Sequence, residues 1–250
     1  MAGVKPGPST EAGLRWLAKV GPAPLGAWGI AMGWGRTAVY SHYHRLLAAG
    51  WLKSCSRPRG AGSLVYASRT GVRHAGVGVG VAVVKRWPAP VTWPHCEACG
   101  WTAAWLTARG RGLVGPRELL AKTDWRGELR FRERGELRRR GHRPDLVARL
   151  ADTQLLPIEV ELSEKSSARL KAVLELHAEW IAAGKSAAVI YVCGDEEIAE
   201  RVLADGAQAG LSVERGTMRV ELVSTIQREA VAACSTLAST EWHWAGSQAA

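Results

Sequence analysis

A continuous apolar segment late in the chain, SAAVIYVC at residues 186–193, limits most strongly what this protein can fold into. An uninterrupted apolar run of this kind is typical of a central strand that is buried on both faces of a sheet. The helical pattern SEKSSARLKAVLELHAEWIAAG precedes it, and EEIAERVLADGAQAG follows it. A buried strand between two helices predicts an α/β protein in which helices cover both faces of a sheet.

The residues around this strand predict the remaining elements of the same sheet. The pattern predicts a helix over 95–106, a helix from about Pro116 that carries Glu118, a strand, turn and strand over 127–150, a strand at 155–162 and a last strand at 217–223. The segment 71–94, rich in glycine, valine and proline, predicts a connecting strand or linker. We therefore place a domain boundary near residue 90.

The charge is unevenly distributed along the chain, whose formal net charge is +10. Residues 1–90 hold 12 Lys and Arg against a single acid, Glu11, whereas residues 91–250 hold 21 Lys and Arg against 22 acids. A basic segment with almost no acids favours a polyanionic partner, of which nucleic acid is the commonest. General basicity for solubility is the alternative, but it would not deplete acids from one part only.

The basic N-terminal part has the pattern of three short helices followed by a hairpin. Helices are predicted over 11–20, over 24–32 and in RTAVYSHYHRLLAAGWL, with Val39, Tyr43, Leu46 and Leu47 facing inward and Gly50 ending the third. WLKSCSRP and SLVYAS predict two strands around a glycine-rich turn. This order, together with RLLAAGWL, resembles the winged helix-turn-helix of bacterial regulators.

The resemblance implies that the third helix enters the major groove of double-stranded DNA and that the wing touches the backbone. The outward side chains expected to contact DNA from this helix are Arg36, Thr37, Tyr40, Ser41 and His44. Arg57 and Arg59 would contact phosphates from the wing. A winged helix that serves only protein contacts or dimerisation is the alternative.

Two carboxylates lie two residues apart in the predicted strand PIEVEL, at Glu159 and Glu161. Because successive strand side chains point to opposite faces, these two share one face. Taken alone, the pattern is that of a solvated sheet face. Because Pro144-Asp145 opens the preceding strand and Lys165 follows the pair, a metal site made of Asp145, Glu159 and Glu161 is the alternative.

An Asp that opens one strand and an E-x-E that ends the next resemble the motif of the PD-(D/E)xK nuclease family. The resemblance implies a restriction-endonuclease-like α/β domain, with Glu118 as the helix acid, Asp145 as the strand Asp and Glu159 as the first residue of (D/E)-x-K. The chain departs from the family pattern at Glu161, where a lysine is usual, although a few restriction enzymes of this fold also have Glu there. Lys165 is expected to supply the missing cation.

The family's activity implies a Mg²⁺- or Mn²⁺-dependent endonuclease. In phosphodiester hydrolysis such an ion binds a non-bridging phosphate oxygen and lowers the pKa of a water molecule. Glu161 would orient the water or act as a base, and Lys165 would stabilise the transition state. The side chains expected to hold the DNA backbone are Arg138, Arg139, Arg140, His142 and Arg143.

The whole chain also resembles, more loosely, replication-relaxation-type proteins of actinobacterial mobile elements, through HRPDL…EVEL…KS and YVCGDE. The resemblance spans roughly residues 10–225. The architecture predicted is a winged helix-turn-helix at 1–90, a nuclease-like domain at 91–235 and a flexible tail at 236–250.

The expected function is that of a DNA-binding nuclease of a plasmid or phage-like element. The alternative is a non-enzymatic replication accessory factor or transcriptional regulator with a degenerate nuclease fold, and a nuclease that acts on RNA is a third hypothesis. The expected partners are double-stranded DNA, a second copy of the chain in a homodimer, and replication or mobile-element proteins.

The pair Cys96-x-x-Cys99, next to His95, raises the hypothesis of a zinc site. A structural zinc site takes four ligands, normally from two such pairs, and the sequence has no second pair. A thioredoxin-like redox pair lacks the βαβ context that it requires. The sequence therefore favours cysteines packed along a helix over zinc.

The sequence also limits the compartment in which we expect the chain to work. No run reaches the roughly 18 apolar residues of a membrane helix, and MAGVKPGPSTEAG lacks an apolar signal core. The five scattered cysteines do not form a disulfide framework. We expect a cytoplasmic protein without a membrane partner.

Overall fold

The computed structural model describes residues 7–56, 62–77, 89–150, 154–163 and 166–233. The protein is a mixed α/β protein, as the sequence predicts. Of the predicted site residues, Arg57, Arg59 and Lys165 lie outside the described residues, and so do the tail at 236–250 and residues 78–88 of the predicted linker. Within the described residues, no helix combines the length and the apolar character needed to cross a bilayer.

Over residues 7–56 and 62–77, the N-terminal part contains four helices and a three-stranded antiparallel sheet. Its elements are α1 (Pro8–Val20), β1 (Ala23–Pro24), α2 (Leu25–Ala31), α3 (Arg36–Ala48), β2 (Leu52–Ser56), β3 (Ser63–Ala67) and α4 (Arg69–His74). The strand order is β1-β3-β2. The sequence prediction includes the first three helices and the hairpin but not β1, which is only two residues long, and the segment after residue 71 begins inside α4 rather than in a linker.

Helix α3 carries the predicted inward face with one exception. Val39 and Leu46 are buried, and the half-buried Tyr43 places its hydroxyl 2.8 Å from Ser54 Oγ of β2. Leu47 is 37% exposed, so its assignment to the inward face is wrong. The helix ends as predicted, because Gly50 has a φ of 70°, which side chains other than glycine rarely adopt.

The C-terminal part is built around a five-stranded mixed sheet. Its elements are a short 3₁₀ turn at Pro90–Thr92, then α5 (Trp93–Ala108), β4 (Gly112–Val114), α6 (Pro116–Ala121), β5 (Gly127–Glu133), β6 (Glu136–His142), β7 (Leu146–Arg149), β8 (Leu155–Glu161), α7 (Ser167–Ala182), β9 (Val189–Cys193), α8 (Glu196–Gln208), β10 (Met218–Leu222) and α9 (Val223–Ala233). The strand order is β10-β9-β8-β7-β4. Strands β8, β9 and β10 are parallel, and β7 is antiparallel to both of its neighbours.

The segment 127–150 differs from its prediction of two strands. It contains three, because β5 and β6 form a separate two-stranded hairpin and β7 enters the five-stranded sheet. The positive φ of Arg134 and Gly135 closes the hairpin turn. The hairpin packs against α7 through Leu129, Phe131 and Leu176, so it covers part of one sheet face.

The predicted buried strand is confirmed as β9, in which every residue from Val189 to Cys193 is buried. Ile190 and Val192 face a core formed with α5 and α9, while Tyr191 and Cys193 face α7 and α8. The sheet is therefore the middle layer of three, as expected for a strand that is apolar on both faces.

One hydrophobic core joins the N-terminal part to this sheet. Leu14 and Trp28 belong to the same buried cluster as Trp101 of α5 and Ile158 of β8. The boundary proposed near residue 90 thus separates two parts of the chain that share a core, and their independence as domains stays a prediction.

Candidate functional site

A cleft of about 1000 Å³ opens where the β5–β6 hairpin, the end of β8 and the start of α7 meet. Its ionisable wall residues, which define the carboxylate cleft, are His95, Glu133, Arg138, Arg139, Arg140, His142, Arg143, Asp145, Glu159, Glu161 and Arg169. The predicted metal-binding and catalytic residues Asp145, Glu159 and Glu161 all lie in this set. Thus Pro-Asp and E-x-E, 14 residues apart in sequence, reach one cleft because β7 and β8 are paired.

Asp145 is held at the junction of β7 and β8. Its backbone N–H donates to the carbonyl oxygen of Ile158 at 3.0 Å, and its Oδ2 accepts from the Val160 N–H at 2.8 Å. Since Leu146 pairs with Ile158, extending the register by one residue places Asp145 opposite Glu159. His95 Nε2 lies 3.1 Å from Asp145 Oδ1. The Asp145 carboxylate therefore has a fixed orientation at the cleft wall.

Glu159 is a buried carboxylate, 2% exposed, with two histidine partners. His142 Nε2 lies 2.8 Å and His177 Nε2 lies 2.9 Å from the same oxygen, Oε1. Burial raises the pKa of Glu159, but the charges and hydrogen bonds of His142 and His177 lower it by more, so the net shift is downward. The carboxylate is therefore ionised in the folded protein.

Glu161 lies two residues further along β8, on the same face, and is 4% exposed. Its backbone carbonyl accepts from the Gly194 N–H at 2.8 Å, which fixes the end of β8 beside the end of β9. The pair does not form the solvated sheet face that the alternation taken alone indicates, since Glu159 and Glu161 are both buried in the walls of the cleft.

Glu118 lies elsewhere, on α6. Its Oε2 accepts from the Gly115 N–H at 3.0 Å, and its Oε1 lies 3.4 Å from Lys19 Nζ of α1. This carboxylate caps α6 and links it to α1, and it is not among the lining residues of the carboxylate cleft. Its catalytic role stays a prediction that the geometry does not support.

The described residues contain two groups of three potential metal ligands whose donor atoms all lie within 4.8 Å of one another: His95 with Cys99 and Asp145, and His142 with Glu159 and His177. Asp145 and Glu159 thus fall in separate groups, each with histidine neighbours. In the first group, burial and then the nearby charge of Asp145 raise the pKa of the Cys99 thiol, which disfavours the thiolate that metals require.

The sequence did not single out His177, the most buried histidine partner of Glu159, with 0% exposure. Its signal lies in the helical spacing of α7, where Leu170, Val173, Leu174 and His177 recur on one buried face. A histidine on such a face is a polar group that needs a partner. The identity of that partner depends on strand β8, which local spacing does not specify.

Arginines surround the mouth of the carboxylate cleft. Arg138, Arg139 and Arg140 are exposed on β6, and Arg143 and Arg169 are half-buried at the cleft wall. Arg138 is paired with Glu136 at 2.7 Å. Cationic side chains around the mouth of a cleft favour the approach of an anionic ligand.

The predicted DNA-contacting residues of α3 are all on its exposed surface. Arg36, Thr37, Tyr40, Ser41 and His44 are each exposed, with Tyr40 at 41%. The structure thus leaves this face of α3 accessible over more than two helical turns.

The chain was also compared with known proteins. No protein-family model, no curated protein and no solved structure matches it.

Proposed function

We propose that this protein binds double-stranded DNA through its N-terminal part and hydrolyses phosphodiester bonds in the carboxylate cleft with a divalent cation. The observation that carries the proposal is the joining of Asp145, Glu159 and Glu161 in one cleft whose rim is lined by arginines. Buried carboxylates that would repel a phosphate by themselves suit a site in which a cation lies between them and the phosphate.

The order of elements supports both halves of the proposal. In the N-terminal part, α1, β1, α2, α3, β2 and β3 follow the order of a winged helix-turn-helix. In the C-terminal part, α5 is followed by the antiparallel strands β4, β7 and β8, then α7 and the parallel strand β9. This is the helix, three strands, helix and strand that the resemblance to PD-(D/E)xK nucleases implies, with α6 and the β5–β6 hairpin inserted between β4 and β7.

Carboxylate oxygens are the donor type that a hard divalent cation takes, but Asp145, Glu159 and Glu161 do not form one of the groups of donor atoms within 4.8 Å of one another among the described residues, so their side chains would have to move to share one ion. Asp145, Glu159 and Glu161 would hold Mg²⁺ or Mn²⁺ through carboxylate oxygens, the ligands that such ions prefer. When bound, the cation would supply charge neutralisation at the phosphate and a more acidic water. Glu161 would accept the proton of the attacking water.

Arg143 and Arg169 provide positive charge inside the cleft. Both line it beside the carboxylates, and Arg169 belongs to the first turn of α7. They would orient the phosphate and neutralise its developing charge, the role that a lysine at position 161 has in the family motif. This assignment does not depend on Lys165, which lies outside the described residues.

Cleavage is tested with supercoiled plasmid and untagged protein in Mg²⁺ or Mn²⁺. We expect nicking or linearisation, with a rate reduced about 100-fold or more in Asp145→Asn and Glu161→Gln. Glu175→Gln, at an exposed position of α7 outside the cleft, serves as the matched control and keeps the wild-type rate. A wild-type protein that is inert towards supercoiled, linear and single-stranded DNA would refute the nuclease proposal.

DNA binding is tested separately by titrating labelled duplex at several salt concentrations. We expect Arg36→Ala to weaken binding to all DNA sequences. It should also reduce by about one the slope of the logarithm of the binding constant against the logarithm of the salt concentration. Arg215→Ala removes the same charge from an exposed loop after α8 and serves as the control. Equal affinities and slopes for Arg36→Ala and the wild type would refute the proposed role of α3.

A non-enzymatic DNA-binding factor is the second candidate function. It is favoured by Glu161, which replaces the lysine of the family motif, and by the engagement of Glu159 Oε1 with two histidines. Tight duplex binding, with no cleavage in either metal and no change in affinity on Glu161→Gln, would select this function over the nuclease.

A further inference from the structure

We propose that His142, Glu159 and His177 form a two-histidine, one-carboxylate site that binds a first-row transition-metal dication such as Mn²⁺ or Zn²⁺. The proposal goes beyond the proposed function, because it concerns metal binding by imidazole and does not require that DNA is cleaved. It uses two histidines to which the PD-(D/E)xK motif assigns no ligand role.

Two of the three separations between donor atoms are close to those of neighbouring metal ligands. His142 Nε2 and His177 Nε2 lie 2.8 and 2.9 Å from Glu159 Oε1, and all three atoms lie within 4.8 Å of one another. Ligands with bonds of about 2.1 Å lie roughly 3.0 Å apart when they occupy neighbouring octahedral positions. An ion can therefore enter between the three atoms with small movements of the side chains.

Three different elements hold these donors in place. His142 ends β6, Glu159 lies within β8 and His177 lies within α7. The side chains are 10%, 2% and 0% exposed, respectively, so neighbouring atoms restrict their rotamers. The His177 and Trp180 rings pack in a T-shaped arrangement with centroids 5.2 Å apart. A donor set that is fixed by packing binds a metal with little loss of conformational entropy.

The site has an entry path and open coordination positions. His142 and Glu159 line the carboxylate cleft, whereas His177 lies beneath them and does not. An ion bound by the three donors would thus face the cleft with its remaining positions available to water or to a phosphate oxygen.

The donor types determine which metals are expected. Two imidazole nitrogens and one carboxylate oxygen suit Mn²⁺, Fe²⁺ or Zn²⁺, whereas Mg²⁺ is usually held by oxygen atoms alone. The three donors therefore predict a preference for a transition metal over Mg²⁺.

The test is isothermal titration of untagged, chelator-treated full-length protein with MnCl₂, ZnCl₂ or MgCl₂. We expect one equivalent of Mn²⁺ or Zn²⁺ to bind at least about 100-fold more tightly than Mg²⁺. In His142→Gln and His177→Gln the amide can still donate to Glu159, but the imidazole ligand is lost, so affinity falls by about 100-fold or more. Unchanged affinity in both variants, or a wild type that binds neither ion, would overturn the proposal.

Two controls separate this site from others. His74→Gln alters an exposed histidine of α4 and should retain wild-type affinity. His95→Gln tests the group around Asp145 and should weaken binding less than His142→Gln or His177→Gln does. A loss of metal affinity confined to His95→Gln would show that the ion binds in the group around Asp145, and it would overturn the proposal.

A measurement on the wild type removes dependence on variant folding. X-ray absorption of the one-to-one Zn²⁺ complex should show the outer-shell scattering of two imidazoles, and a spectrum without imidazole scattering would overturn the proposal. Because neither readout uses DNA, a failed cleavage assay refutes the nuclease proposal alone.

Discussion

At the scale of the residue, Glu159 shows how a buried carboxylate is stabilised in its charged form. Removing a carboxylate from water costs several kcal/mol unless hydrogen bonds and opposite charges compensate for it. His142 and His177 provide this compensation at 2.8 and 2.9 Å. Glu159 is therefore expected to stabilise the fold as well as to serve the site.

Glu159→Ala should lower the free energy of unfolding by about 3 kcal/mol, because it leaves two buried imidazole groups without their acceptor. Urea denaturation followed by circular dichroism measures the change. Glu175→Ala, at an exposed position of α7, should shift it by less than about 0.5 kcal/mol. Equal effects of the two substitutions would contradict this role of Glu159.

The pKa of Glu159 predicts how this contribution depends on pH. Because the pKa in the folded protein lies below the ordinary value of 4.5, the unfolded chain takes up the proton first as the pH falls. The stabilisation by ionised Glu159 is therefore present above about pH 4.5 and is lost progressively as the pH falls below that value.

Urea denaturation between about pH 6 and pH 3 tests this dependence. The stability advantage of the wild type over Glu159→Gln should shrink by up to about 1.4 kcal/mol per pH unit below the ordinary pKa of glutamate. An advantage that grows as the pH falls would contradict the assignment.

At the scale of the element, α5 connects the two parts of the protein. Every residue from Ala98 to Leu106 is buried, so this helix is covered on more than one side. The sheet covers one side, through Ile158 and Ile190. The N-terminal part covers the other side, where Gly100 lies against Ala23 and Pro24 of β1.

Gly100→Ala tests this contact, because the added methyl group improves helix propensity but crowds β1. A Cβ at this position would lie 2.7 Å from Pro24 Cδ and 2.9 Å from Ala23 Cβ, closer than atoms pack. We expect the substitution to lower the free energy of unfolding by about 2 kcal/mol. Helix propensity alone favours alanine by about 1 kcal/mol, so such a loss would come from the close contact with β1. Gly7→Ala, which meets nothing within 4 Å, should change the stability little. A stabilised Gly100→Ala variant would show that β1 and α5 do not pack closely.

At the scale of the whole molecule, the shared core predicts cooperative unfolding. Leu14 and Trp28 belong to the same buried cluster as Ile158 and Val192, and the N-terminal part reaches this cluster through α2 and β1, which pack against α5. A continuous core favours a single transition between folded and unfolded states.

Urea unfolding should give coincident curves for far-ultraviolet circular dichroism and tryptophan fluorescence. Both parts contribute to fluorescence, through Trp28 and Trp34 on one side and Trp125 and Trp180 on the other. Two separated transitions would show that residues 7–77 form an independent unit and would support the boundary near residue 90.

The sequence by itself determined the local elements and the fold class. The apolar run at 189–193 is the central strand β9, Gly50 ends α3, and alternation places Glu159 and Glu161 on one face. These features follow from backbone preferences and from side-chain periodicity, which are properties of neighbouring residues.

Only the tertiary structure decided which side chains meet. Glu159 contacts His177, 18 residues away, and Asp145 contacts His95, 50 residues away, because a helix packs over each strand end at one particular register. The same long-range packing buried the E-x-E pair, placed Glu118 beside Lys19 of α1 and joined two parts of the chain in one core. Periodicity gives the direction of a side chain from its own strand or helix, whereas its neighbour depends on how distant elements pack.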